Sequence, residues 1–244
     1  MGGRLQALVI ACALTGLWVV VTVGAFTALQ AAYPVWSAPQ ASLGALCVAT
    51  AGLILAVSLK GWWRDVGVNS RSEWRDIKWL AVPAVLTLLP LAAGVQPVDA
   101  SATLFLAVAY LLTGFAEETM FRGVLLKILG SRGLIASVVI ASVLFGLAHL
   151  GNIVIRGNAP VIFAQAVGAA CFGFGYAATR LRTNTIVPLM LTHMFTDLFL
   201  QLGTLPLIPV AVAQDVVLLG YGIYLLRGFA PTSAEGTRGA RASA

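Results

Sequence analysis

The chain has 244 residues, 59% of them hydrophobic and only 10% charged, with a mean hydropathy of +0.93. A soluble domain carries about 25% charged residues, so the composition excludes a water-covered globular domain and makes lipid the main solvent. The formal net charge of +6, from 15 Lys and Arg against 9 Asp and Glu, sits mainly in short loops between apolar runs. That is how orientation in a bilayer is set, and the charge reads as topology, with no nucleic-acid partner.

A spanning helix needs about 20 mostly apolar residues. The first stretch, Leu5–Ala31, follows Arg4. It is longer than the apolar core of about 7–15 residues in a signal peptide, so a retained first helix is expected. Pro34 and Pro39 flank a turn before the second stretch, Ala41–Leu59. The segment from Gly61 to Trp79 is polar but carries Trp62, Trp63, Trp74 and Trp79. Tryptophan collects at the headgroup level, so this loop is expected along the cytoplasmic interface, with a short amphipathic helix in it. The third stretch, Trp79–Ala93, is short, and Gly94 to Pro97 form a turn after it.

The fourth stretch is Ala102–Lys127, closed by a turn over Gly130 to Gly133; the fifth is Leu134–Leu150, closed by Asn152, Gly157, Asn158 and Pro160. Ala159–Ala178, Thr185–Leu202 and Leu207–Leu226 complete eight. The expected fold is all-α, a polytopic membrane bundle of about eight transmembrane helices forming one domain over residues 1–229. The stretch 230–244, rich in Ala, Gly, Ser and Arg, has the composition of a disordered tail. Cys12, Cys47 and Cys171 each lie inside an apolar run without metal-ligand spacing and read as small buried residues rather than a disulfide framework.

All but two of the 15 basic residues fall on one side of this layout: Arg4, Lys60, Arg64, Arg71, Arg75, Lys78, Lys127, Arg132, Arg180, Arg182, Arg227, Arg238 and Arg241. The other side holds Arg156, and Arg122 lies within a stretch. The bias assigns both termini to the cytoplasm and requires an even number of spans.

Ionisable residues within the bilayer are costly and mark functional sites by default. Here they are Glu117, Glu118, Arg122, His149, His193, Asp197 and Asp215, and they include both histidines of the chain. Arg122 follows Glu118 by four, within ion-pair reach on a helix. Glu117 points about 100° away and lacks that partner, which suits a group that takes and returns a proton. Phe145 and His149 share a face at one-turn spacing, and so do His193 and Asp197. Taken singly, each cluster also fits a plain structural role, an ion-pair brace or a helix–helix hydrogen bond. Together, two glutamates, two histidines and an aspartate on three apolar helices can converge in a bundle core. Asp215 matches no motif and is left out of the site.

These motifs, Glu-Glu-x-x-x-Arg at Glu117 to Arg122, Phe-x-x-x-His at Phe145 to His149 and His-x-x-x-Asp at His193 to Asp197, resemble in order those of the CPBP family, also called ABI. That family includes prenyl-protein CAAX endopeptidases and bacteriocin-processing or immunity proteins. The resemblance covers roughly residues 100–203. It implies an eight-helix intramembrane endopeptidase, in a bacterial inner or plasma membrane, with its site open to the cytosol. By that likeness Glu117 and His149 activate a water for attack on a peptide carbonyl, and His193 and residue 197 stabilise the oxyanion. Glu118, Arg122 and Phe145 support them. The implied partners are lipid and a peptide or protein substrate, prenylated in the CAAX branch.

The family has been described as metal-dependent and as glutamate-dependent. Glu117, His149 and His193 are the candidate ligands for a zinc ion, although the chain lacks the His-Glu-x-x-His helix of a metalloprotease. The CAAX branch has Asn where this chain has Asp197. An amide donates a hydrogen bond to an oxyanion and an ionised carboxylate does not, so Asp197 is protonated, orients His193 or binds a metal. The rival readings are a non-catalytic scaffold or immunity protein of the same fold and a proton-coupled transporter. At 1.5 Å per residue, Glu117 and His193 lie about 14–15 Å from the cytoplasmic helix ends but His149 about 26 Å, a mismatch for straight helices.

Overall fold

The computed structural model describes residues 2–68 and 74–229. The stretch 230–244, expected to be a disordered tail, and Arg71 lie outside the described residues. Eight helical segments follow in chain order. They are α1 (Gly2–Ala32), α2 (Ala38–Lys60), α3 (Ala81–Leu88), α4 (Ala100–Arg132), α5 (Leu134–Arg156), α6 (Ala159–Thr183), α7 (Val187–Leu202) and α8 (Leu207–Arg227). Six of them, all but α3 and α7, are long and apolar enough to cross a membrane, and α7 is a shorter apolar helix. The all-helical membrane fold expected from the sequence is the one observed.

The short third stretch departs from a regular helix. It is a 3-10 helix over Trp74–Leu80, then α3, then a 3-10 turn over Leu89–Leu91. Pro83 and Pro90 lack the N–H an α-helix interior needs, and Pro90 sits in that last turn. Gly61 ends α2 at φ 65°, the left-handed conformation that glycine takes without strain. Asp99 caps α4 by accepting hydrogen bonds from the backbone N–H groups of Ser101 and Ala102, at 2.9 and 3.2 Å.

Apolar burial drives little association between helices in lipid, so close packing at small residues does that work. The main packed pairs are α6 with α5 and α8, α1 with α2, and α4 with α7. A glycine stands at three of these contacts. A Cβ on Gly114 would sit 2.5 Å from the carbonyl oxygen of Met190, and one on Gly175 would sit 2.6 Å from that of Leu218. One on Gly146 would overlap the carbonyl oxygen of Ala166.

The bundle has two chemically distinct ends. At one, Arg132 donates to the carbonyl of Arg4 (2.9 Å), Lys127 pairs with Asp65 (2.5 Å), and Arg182 donates through Nε to the carbonyl of Leu225 (3.2 Å). At the other, the loops before α4 and after α7 meet, with Gln96 donating from its backbone N–H to Leu202 (2.8 Å) and from Nε2 to Gly203 (2.8 Å). Arg156 closes α5 at this second end.

The tryptophan-bearing loop does not simply lie along the interface. Val66 is fully buried in the main core, and Gly67 accepts hydrogen bonds from the N–H of Ile186 (3.1 Å) and the hydroxyl of Thr185 (3.2 Å). Arg180, itself buried, donates to the carbonyl of Asp65 (3.3 Å). The flanking tryptophans stay half-buried at the basic end, Trp62 under Lys127 and Trp79 under Lys78 and Arg182. The expectation of buried cysteines is also corrected. Cys12 and Cys47 are exposed on the outer surface of the bundle and Cys171 is half-buried; all three are free thiols.

Candidate active site

The Glu-Glu-x-x-x-Arg motif does not sit in regular α-helix. Within α4 the chain is α-helical to Glu117, π-helical over Glu118–Leu125, and α-helical again from Leu126. Such wide turns occur preferentially at functional sites. Every residue of the π segment is buried, Glu118 and Arg122 among them.

Glu118 and Arg122 approach to 3.1 Å, but the contact is off-axis, and neither guanidinium Nη makes a hydrogen bond among the described residues. Aromatic faces hold the cation instead. Its central carbon lies 4.0 Å from the Phe145 ring centre and 5.8 Å from those of Phe172 and Tyr176, within cation–π range. Gly173 leaves the space for this, since a Cβ there would come within 3.0 Å of Phe145 and 3.2 Å of Arg122.

His193, on α7, is buried against the same rings, 5.0 Å from Phe172. Its Nδ1 meets Glu118 Oε1 at 2.9 Å. An ionised carboxylate only accepts, so Nδ1 carries the proton. Nε2 then faces two further carboxylates, Glu117 Oε2 and Asp197 Oδ2, each at 3.7 Å. The two adjacent glutamates thus take opposite nitrogens of one imidazole. The close approach at Gly114, one turn before Glu117, sets the separation of α4 and α7 that makes this geometry.

His149 ends the regular part of α5 and is half-buried. Its Nδ1 lies 2.9 Å from the carbonyl oxygen of Phe145. A carbonyl accepts only, so Nδ1–H donates, and Nε2 is the ring nitrogen left for other partners. Glu117 and His149 line one cavity of about 170 Å³, walled by Trp18, Phe121 and Phe145 and reaching Arg156. Phe121 packs edge-on against both Trp18 and Phe145.

The depth mismatch expected between Glu117 and His149 is therefore absent, and the reason is a boundary. The α4 segment runs on past Lys127 to Arg132. Measured from the same turn, Glu117 and His149 stand 15 and 17 positions away, a difference of about 3 Å at 1.5 Å per residue.

The structure brings Glu117, Glu118, Arg122, Phe145, His149, His193 and Asp197 into one region. It leaves Asp215 elsewhere, its carboxylate packed on Gly168 of α6. Glu118 has a larger part than its spacing from Arg122 suggested, because it holds His193. Trp18, Phe172 and Tyr176 were missed. Phe172 and Tyr176 stack on each other at 4.0 Å, and their i,i+4 aromatic spacing beside Gly173 and Gly175 was a readable sign of a packed wall. Trp18 carried no local sign.

The candidate zinc ligands are not drawn into a ligand set. Among the described residues no group of three or more His, Cys, Asp or Glu side chains is placed to hold a metal ion.

An apolar helical bundle with carboxylates and imidazoles meeting at mid-depth defines an integral membrane protein with an ionisable site inside its bundle. Residues 99–199 match the model of the type II CAAX prenyl endopeptidase Rce1-like family. That stretch is less than half of the chain and holds all three motifs, and the matched family is the CAAX protease family that the motifs resemble. No curated protein and no solved structure matches the chain.

Proposed function

We propose that the protein is an intramembrane endopeptidase that hydrolyses a membrane-associated peptide through a water activated by Glu117 and His149. The observation that carries this reading is the position of Glu117. It shares a cavity with His149 on one side and lies 3.7 Å from His193 Nε2 on the other. Water held between the Glu117 carboxylate and His149 Nε2 loses its proton to Glu117 as its oxygen attacks the peptide carbonyl carbon. The oxyanion that forms is met by His193. With Nδ1–H committed to Glu118, Nε2 of the imidazolium donates to it. Glu117 returns the proton to the leaving amine as the C–N bond breaks, so atoms and protons balance.

Asp197 cannot donate to an oxyanion while ionised. Its place one turn from His193, facing the same nitrogen, supports a role as counter-charge to the imidazolium. The basic end, with both termini, is cytoplasmic by the charge bias, and the aromatic side of the cavity, Trp18, Phe121 and Phe145, suits a peptide with an apolar or lipidated end.

The test is cleavage of prenylated and plain apolar peptides by purified protein in liposomes. Glu117→Ala and His193→Ala abolish cleavage while a melting curve shows that Glu117→Ala folds. Full activity in Glu117→Ala overturns the proposal and favours a scaffold.

A further inference from the structure

We propose that the cavity admits its peptide from the face of the bundle opposite the basic loops, so that the protein acts on extracytoplasmic rather than cytosolic peptides. The cytosol-facing site expected from the family likeness does not agree with two features of this chain taken together: where its cations lie and where its cavity opens.

The cations lie at one end. Arg4, Lys60, Arg64, Lys78, Lys127, Arg132, Arg180, Arg182 and Arg227 all stand at the termini of α1, α2, α4, α6 and α8, or in the loops that join these ends. Hydrogen bonds and ion pairs tie that end together, from Arg132 to Arg4, from Lys127 to Asp65, and from Arg182 to Leu225. Arg156 is the one cation at the other end among the described residues. Lys and Arg next to spanning helices are retained in the cytoplasm, and a bias this lopsided fixes the orientation.

The cavity lies toward the other end. Its deepest lining residues, Phe121 and Phe145, each stand 11 positions from the basic end of their segments, at Arg132 and Leu134. From there the lining runs away from the basic end. It passes Glu117 and His149 at mid-depth and reaches Ser42, Ile155 and Arg156, close to the opposite ends of α2 and α5. No lining residue comes from the basic loops, and the cytoplasmic side below the site is closed. Glu118, Arg122, Phe121 and Leu125 are fully buried there, and Val66 plugs in against Gly123. A peptide entering at Ser42 and Arg156 reaches Glu117 along a wall of mixed character, with Ala45, Leu46 and Ile155 beside Thr22 and Asn152, whereas from the basic end it meets packed core.

The substrate part rests on the protease reading; the access part does not. Single cysteines are placed at Ser37 and Ser42 on the proposed open side and at Ser131 in the basic turn, in a chain with Cys12, Cys47 and Cys171 replaced by Ala. Ser37 and Ser131 are exposed, and Ser42 lines the cavity. A membrane-impermeant maleimide added to intact cells labels Ser37→Cys and Ser42→Cys, and labels Ser131→Cys only after permeabilisation. Labelling of Ser131→Cys in intact cells with protection of the other two overturns the proposal, and so does labelling of Ser37→Cys with Ser42→Cys closed even after permeabilisation. A second arm adds an impermeant quenched peptide, one cleaved by the detergent-solubilised protein, to intact cells and to inverted vesicles. Cleavage by cells alone, absent in Glu117→Ala, is expected. Cleavage by inverted vesicles alone refutes outer access and leaves the protease reading standing. The expected labelling, with no peptide of a broad panel cleaved even by the solubilised protein, refutes the protease reading and leaves the access side standing.

Discussion

Gly114 sets the distance between the two halves of the site, and a single methyl group tests whether that distance matters. In Gly114→Ala the new Cβ lies 2.5 Å from the Met190 carbonyl oxygen and 3.3 Å from the Met194 nitrogen. Both are backbone atoms of α7, so no side-chain rotation relieves the overlap. Restoring ordinary contact pushes α7 from α4 by about 1 Å, an overpacking that costs about 1–3 kcal/mol. The same shift stretches the 2.9 Å bond between Glu118 and His193 past hydrogen-bonding range. Misplacement of a reacting group by about 1 Å costs on the order of 100-fold in rate. Peptide cleavage in liposomes and thermal melting in detergent read the two effects separately. The expected result is a lowered melting temperature and a fall in kcat larger than any change in KM. Gly52→Ala, where a Cβ meets nothing within 4 Å, serves as the control and melts no lower than wild type. Wild-type kcat and melting in Gly114→Ala refute the reasoning.

Three further outcomes follow from the same contacts. Glu118→Ala leaves Arg122 as an uncompensated buried cation and destabilises by about 3–5 kcal/mol, whereas Glu118→Ala with Arg122→Met recovers much of that; a double-mutant cycle on unfolding free energies that shows simple additivity contradicts it. Water activation by Glu117 and His149 alone, as proposed, leaves the cleavage rate unchanged by chelator; loss of activity restored by zinc defeats that route. At the start of α4, hydrogen bonds from Ser101 and Ala102 hold the Asp99 carboxyl below its usual range. A lowered folded value means the cap contributes fully above the unfolded pKa of about 3.9 and loses its contribution as pH falls through the folded value. The melting difference between wild type and Asp99→Ala is therefore present at neutral pH and shrinks in acid, and a difference that persists unchanged in acid argues against the cap.

The apolar stretches were legible because lipid demands long runs without charge, and all eight correspond to helical segments. Their ends were less so. Reading the fourth stretch as ending at Lys127 overlooked Ile128 and Leu129, which continue the helix toward Arg132, and that slip placed Glu117 too shallow and so put His149 out of level with it. The identity of the charged residues was legible for the same reason, since any ionisable group in such a run stands out. What hydropathy cannot carry is the local winding at Glu118–Leu125, which depends on neighbours from α5, α6 and α7, or the inward fold of Val66, one of several apolar residues in a mostly polar loop. Trp18 escaped notice because in an apolar helix a cavity-lining tryptophan looks like any lipid-facing one.

The pairing of Glu117 with Glu118 is the feature that most separates a reactive site from a structural ion pair. One glutamate suffices to neutralise Arg122. Two in succession diverge by about 100° on a regular helix, and both reach His193 here only because the winding changes between them, at the junction of α-helix and π-helix. The buried Glu118 then fixes the ring by Nδ1 and is spent on that bond and the nearby guanidinium. Glu117, bordering the cavity, keeps its carboxylate for whatever enters. A brace needs neither the second carboxylate nor the costly winding that aims it. A site that holds one imidazole and moves a proton beside it needs both, which is why Glu117→Ala is expected to end catalysis with little loss of stability, and Glu118→Ala to lose both.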